Sequence, residues 1–279
     1  MTTPQPSSRT PTVFLPHGGG PWPFIDAGAF GQPGMWDRMA AYMHALRMTP
    51  PARPRAVLVV SAHWEEPIPT VMTAPNPPML YDYYGFPPEA YEVQWPAPGE
   101  PEVAGRVRDL LEGVGIRTGT DSARGFDHGA FVPLKLTWPE ADVPTFQLSL
   151  QRGLDPARHL AIGRALAPLR DEGVFIVGSG MSYHNLRTLM ASMRGAQTAI
   201  ADESRAFDDW MVESMDLEPS RRATRLVEWE RAPAARACHP REEHLLPLMV
   251  VAGAGGEDGA SAPYRDTVMG AAVSAVHFG

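Results

Sequence analysis

Four short apolar runs punctuate the chain, each closed by proline, glycine or charged residues: Thr12–Pro16, Ala56–Ala62, Pro144–Leu150 and Gly173–Gly178. Runs of this length, rich in Val, Ile, Leu and Phe and bounded by turn residues, predict buried β-strands. Longer stretches with helical spacing lie between them, at Gly34–Arg47, Pro101–Gly113, Asp155–Arg170 and Thr198–Met215. Asp155 before Pro156 is a helix start, with the carboxylate as N-cap and proline at the first helical position. Strands alternating with helices predict an α/β fold, a single domain with a central, mostly parallel or mixed sheet flanked by helices.

Two segments break the alternation. Pro67–Pro101 is too rich in proline for a regular helix and too rich in tyrosine and tryptophan for a solvated linker. It is expected to be an ordered excursion over the sheet edge, either a site wall or a homo-oligomer contact. Gly253–Ala262, GAGGEDGASA, reads as a flexible surface loop. Residues 1–10 read as a disordered tail, leaving residues 11–279 as one domain, with no internal repeat or composition break to divide it.

Composition narrows the function. With 44% hydrophobic and 20% charged residues the 279-residue chain has ample core material. A formal charge of -8 and a pI near 5.6 argue against a nucleic-acid partner, and SRRATR at Ser220–Arg225 reads as a solvated face. No apolar stretch reaches the roughly 18–20 residues of a membrane span. Cys238 is the only cysteine, so no intrachain disulfide forms, which fits a reducing, cytoplasmic setting.

The chemistry lies in the histidines. HGGGP, from His17, is not a dinucleotide fingerprint, because Pro21 and Pro23 stand where the phosphate-binding helix would begin. VGSGMS lacks the glycine two residues before Ser179 that a nucleophile elbow needs. His17 and His63 each follow a predicted strand, and His184 lies just beyond a third. Parallel strands end at one edge, where open α/β folds place their sites. His128 lies in a turn before an apolar stretch, and His244 near the start of a helix. Neutral imidazole is the commonest metal ligand, and three of them leave positions open on a divalent ion. Glu243 beside His244 offers a two-histidine, one-carboxylate alternative. Glu65 and Glu66 are either partners of His63 or a solvated pair. His44 and His159 read as surface or packing residues within helices, His277 as part of a fraying terminus, His239 as a cap or orienting group, and Cys238 as an inert buried thiol.

Five segments, FLPHGGGPWPF, LVVSAHW, DHGAFVPLKLTWPEADVPTFQLSL, VGSGMSYHNLR and HPREEHLLPL, run in order from residue 14 to 248. Together they resemble the DOPA-type extradiol aromatic ring-cleavage dioxygenases, a branch of the class III extradiol enzymes. The first motif departs from the family's commoner HGSP by carrying Gly19 and Gly20 before Pro21. The resemblance implies a metal at one end of the sheet, held by His17, His63 and His244. His184 falls on the catalytic histidine of the HNL motif and is a possible additional ligand; His128 falls on a substrate-proximal histidine. Fe(II) is the implied metal, with Zn(II) possible in purified protein, and the partners are a small aromatic diol and O2. Trp22 and Phe24, with Tyr83, are candidate walls of the substrate pocket. Two rival readings remain: a zinc hydrolase using the same histidines, and a phenol-binding relative without turnover.

Overall fold

The computed structural model describes residues 9–26 and 33–279, so the tail expected at residues 1–10 lies outside it except for its last two residues. Thr10 is buried and exchanges hydrogen bonds with Arg170. The strands are β1 (Thr12–Pro16), β2 (Ala56–Glu66), β3 (Thr70–Met72), β4 (Gly119–Asp121), β5 (Thr145–Gln151), β6 (Val174–Gly180), β7 (Ala260–Val268) and β8 (Ala271–Phe278). The helices are α1 (Asp37–Leu46), α2 (Pro101–Gly113), α3 (His128–Thr137), α4 (Pro156–Leu166), α5 (Leu186–Met193), α6 (Ile200–Met215), α7 (Pro219–Val227), α8 (Ala235–Cys238) and α9 (Leu246–Gly255).

All eight strands form one mixed sheet in the order β4-β3-β5-β2-β6-β1-β8-β7. The central four, β5, β2, β6 and β1, are mutually parallel; β3 and β8 pair with them antiparallel. The central strands are buried along nearly their whole length, as a sheet covered on both faces requires. Alternation on β6 shows how the cover is divided. Gly178 faces α9, where an added Cβ would lie 2.6 Å from Pro247 O, while Ser179 on the opposite face bonds Gly129 of α3. Asp155 caps α4 as expected, accepting from Arg158 N at 2.9 Å ahead of Pro156.

Three segments differ from their expected form. β2 does not stop at Ala62 but continues to Glu66 through a bulge between Val60 and Glu65, which lifts His63 out of the ladder. Gly253 is not in a loop but in α9, because its missing side chain lets α9 and α4 meet backbone to backbone; a Cβ there would lie 2.2 Å from Leu160 O. The C-terminus does not fray. β7 and β8 form a hairpin on β1, and the Tyr42 hydroxyl lies 2.8 Å from His277 Nε2.

The Pro67–Pro101 excursion is ordered, as expected. It contributes β3, buries Trp95 completely with its Nε1–H donated to Trp138 O, and returns along the sheet edge to α2.

Two outcomes follow from this packing. A Cβ at Gly180 would lie 2.1 Å from His244 O, so Gly180→Ala should cost about 1–3 kcal/mol in a denaturant melt. Burial lowers the pKa of His277 to about 4, so the folded state stays unprotonated where the unfolded chain binds a proton. Its contribution to stability is therefore lost as pH falls from about 6.5 towards 4, and His277→Gln should flatten the fall of the melting temperature across that window.

Candidate metal centre

Five imidazoles meet at the carboxyl edge of the sheet. His17 follows β1 and is fixed by its backbone N–H to Gly180 O; His63 stands on the bulge of β2; His184 follows β6. His128 is the first residue of α3, whose cap Asp127 accepts from Ala130 N. His244 precedes α9, and its carbonyl accepts from Met181 N. The Nε2 atoms of His17 and His63 are 3.1 Å apart and those of His63 and His244 are 3.3 Å apart. The His128 ring centroid lies 4.0 Å from that of His63, and His184 stacks on His244 at 3.3 Å.

The other ring nitrogen of each histidine decides what those short separations mean. His17 Nδ1 lies 3.0 Å from Ser179 Oγ, whose hydroxyl proton goes to Gly129 O, so the imidazole is the donor. His244 Nδ1 lies 2.9 Å from Glu243 Oε1, and His63 Nδ1 lies 3.6 Å from Asp82 Oδ2. His17 and His244 thus donate from Nδ1, and His63 Nδ1 faces the Asp82 carboxylate; with the proton on each Nδ1, all three Nε2 atoms present lone pairs to a shared metal ion.

Two nitrogens bound about 2.1 Å from one ion at octahedral to tetrahedral angles sit roughly 3.0–3.4 Å apart. The 3.1 and 3.3 Å separations fit. His17, His63 and His128 also lie within 4.8 Å of one another through one nitrogen each, as do His184 and His244 with a carboxylate oxygen of Glu243. The Nε2 contacts favour His17, His63 and His244 as the inner set, because Glu243 is occupied on the Nδ1 side of His244, away from its Nε2.

The two carboxylates repeat one arrangement. Asp82 faces Nδ1 of His63 and accepts from Nδ1 and the backbone N–H of His128, at 2.8 and 2.9 Å. Glu243 faces Nδ1 of His244 and of His184, the latter at 3.2 Å, with Arg241 alongside. Burial by itself would raise both carboxyls, but the hydrogen bonds from His128 to Asp82 and from His184 to Glu243 bring both below their ordinary values. Burial, and then the neighbouring histidines, hold His17 and His244 well below the usual imidazole value, and burial takes His63 to about 4. The three are neutral and ready to ligate.

Above them opens a cavity of about 450 Å³. Trp36, Tyr83, Phe86, Leu189, Met190 and Met269 are among its walls. Gly18 starts the turn over its floor with φ +81°, a conformation in which a Cβ would strike the Trp22 indole at 2.2 Å.

Trp22 and Phe24 are not among the lining residues. Trp22 is buried behind the wall, donating Nε1–H to His17 O and stacking on Trp36, which does line the cavity; Phe24 sits under Lys135. Glu66 accepts from Trp64 Nε1 and Glu65 pairs with Arg241, so neither is the partner of His63. His239, with its pKa taken to about 3 by burial, ties the segment before His244 to Ser182 O. Cys238 is buried, its thiol pushed up to about 12 by burial. His44 and His159 bond to Leu136 O and Asp155 O within the packing. Sequence reasoning missed Asp82 and Ser179. The signal for Asp82 was a lone carboxylate inside YDYY, in an otherwise aromatic and proline-rich stretch.

Neutral imidazoles on the floor of an aromatic-walled cavity are the layout of a metal-dependent enzyme with a largely apolar substrate. The chain belongs to the family of the catalytic LigB subunit of aromatic ring-opening dioxygenase, whose family model matches residues 14–276, and so to the class III extradiol dioxygenases, oxygenase enzymes that use a metal held by a histidine triad. It is 37% identical over 284 residues to Dioxygenase tasH of Hapsidospora irregularis, covering 96% of this chain and 85% of that protein. It is 42% identical over 207 residues to 4,5-DOPA dioxygenase extradiol of Beta vulgaris, covering 74% and 75%. The Escherichia coli K12 protein of that same name is 34% identical over 265 residues, covering 95% and 92%. A crystal structure of an uncharacterized protein from Escherichia coli K12 superposes with a TM-score of 0.77 at 30% identity, covering 97% of this chain and all of that one.

Asp82→Asn and Glu243→Gln each weaken the acceptor that orients one inner imidazole. Each should lower metal affinity by roughly 10–100-fold in a calorimetric titration, with the fold retained by circular dichroism.

Proposed function

We propose that the protein is a non-haem Fe(II)-dependent extradiol dioxygenase that opens a catechol-type ring beside its diol, giving a muconic semialdehyde-type product. In this reading His17, His63 and His244 hold the metal through Nε2. The observation that carries it is the convergence of the Nε2 atoms of His17 and His244 on that of His63, at 3.1 and 3.3 Å, beneath an aromatic-walled cavity. Family membership supports the reaction class. Both atoms of O2 enter the product as the carbon–carbon bond next to the diol breaks, so no external reductant is required.

The iron, when bound, supplies a Lewis acid that favours ionised diol oxygens and a redox partner for dioxygen. The protein does the rest. His184 and His244 are nearly parallel, at 17°, and share Glu243 at Nδ1, so their Nε2 atoms point the same way. His184 Nε2 is thus placed to take a proton from a diol hydroxyl. The imidazolium formed keeps Glu243 as its counter-charge and returns the proton later in the cycle. His128, anchored by Asp82 at Nδ1, presents Nε2 to the substrate from the opposite side. Tyr83 and Phe86, at right angles to one another, and Trp36 close the sides and keep bulk water from the reacting ring.

Protein purified without oxygen and loaded with Fe(II) should consume one O2 per catechol, with the ring-opened product appearing in its visible spectrum. Zinc-loaded protein should consume none. Alanine at His17, His63 or His244 should abolish iron retention, whereas His184→Ala should keep iron and lose about a hundredfold or more in kcat. Iron-loaded protein inert toward catechols, gallate and DOPA alike would overturn the reading.

A further inference from the structure

Resting on that reading, we infer that the substrate is a catechol carrying an uncharged, apolar substituent rather than an amino-acid or carboxylate side chain. The cavity divides sharply by polarity. Its floor holds the five histidines and Asp82; apart from three glycines, the rest of its lining is aromatic or aliphatic. The α5 side offers Leu186, Leu189 and Met190, one stripe at helical spacing, and the β7–β8 turn faces the site with Val268, Met269 and Val273.

Among the lining residues there is no lysine or arginine. Arg187, next to Leu186 on α5, is exposed and is not among the lining residues, and three other cations near the site are committed elsewhere. Arg124 pairs with Asp127 and stacks on Trp64, Arg241 pairs with Glu65 and Glu243, and Lys135 donates to Gln94 O. Residues 27–32, AGAFGQ, contain no basic side chain. Of the three lining tyrosines, Tyr83 donates its hydroxyl to Ala90 O and Tyr183 has its hydroxyl buried, so both show the cavity their rings, while Tyr84 is almost fully exposed. A substituent carboxylate would enter this space without a counter-charge, and one carboxylate on the floor, already shared by two histidines, is no partner for a substituent ammonium.

Size supports a substituent. A volume of about 450 Å³ is roughly three times the ~150 Å³ cavity that accepts a benzene, leaving room beyond the ring that reacts. The apolar surface continues to the mouth, where Leu186 and Met190 are 58% and 42% exposed, so an alkyl or aryl group covers it on binding. Met181, Met190 and Met269 place three flexible thioethers around that space, which suits substituents of varied shape.

The test compares three ligands that share the diol and differ in the charge of the substituent: 4-propylcatechol, 3,4-dihydroxyphenylpropionate and L-DOPA. Their affinities are measured calorimetrically on zinc-loaded protein, and kcat/KM by oxygen uptake on iron-loaded protein. 4-Propylcatechol should bind about tenfold or more tightly than either charged compound and show a matching advantage in kcat/KM. Met190→Arg should move the propionate-to-propyl affinity ratio at least about fivefold toward the propionate. Equal or tighter binding of DOPA or the propionate, or a ratio unmoved by Met190→Arg, would overturn the inference while leaving ring cleavage intact. The expected binding order without oxygen uptake by any of the three would uphold the apolar pocket and count against the dioxygenase reading instead.

Discussion

Three lone pairs forced together are the constraint around which the molecule is built. The Nε2 atoms of His17 and His244 lie 3.1 and 3.3 Å from that of His63, while the Nδ1 atoms of His17 and His244 are taken up by hydrogen bonds and that of His63 faces Asp82. Protonation would relieve the contact in water, but burial opposes it at all three rings. A cation held at their focus would offset the cost of crowding the rings, and its binding would then be linked to folding.

The sheet bears this load because its parallel core ends three strands at one edge. β1 and β6 set His17 and Ser179 side by side through their register, and the bulge on β2 turns His63 to meet them. Two carboxylates then pair four of the five rings, Asp82 taking His63 with His128 and Glu243 taking His244 with His184, while His17 is held by Ser179. A divalent ion bound at the centre would balance the charge of the two carboxylates.

Much of this was legible in the sequence, and the rest was hidden for definite reasons. AVLVV and VFIVG announce central strands, and histidines at their ends announce the edge that carries the chemistry. β7 and β8 were missed because ASAPYRDTV carries a proline and polar residues on both faces, and AAVSAVHF is rich in alanine, which has little strand preference. GAGG was read as a loop because glycine marks loops by default, whereas here it marks two helices in backbone contact. The partner of His63 was sought in Glu65 and Glu66, its neighbours in the chain, but the bulge faces it toward Asp82, supplied by a loop with no periodicity to read. Trp22 followed the metal motif and so suggested a pocket wall; the turn at Gly18 folds it back under His17 instead.

The Pro67–Pro101 segment joins two tasks that are usually separate. Asp82 faces His63 and His128, and its neighbour Tyr83, with Phe86, forms a wall of the cavity. The two residues share one backbone, pinned by Leu80 N–H to Phe126 O, by the Asp82 carboxylate to His128 N–H, and by the Tyr83 hydroxyl to Ala90 O. A shift of the wall would therefore move the acceptor beside two of the five imidazoles. Cavity shape and histidine geometry meet in a single peptide unit, and the prolines on either side limit how far that unit can move. The segment is held by these bonds and by a few buried anchors, Val71, Met72, Tyr83, Ala90 and Trp95, rather than by burial along its length, since Tyr84 and much of the stretch around it stay exposed.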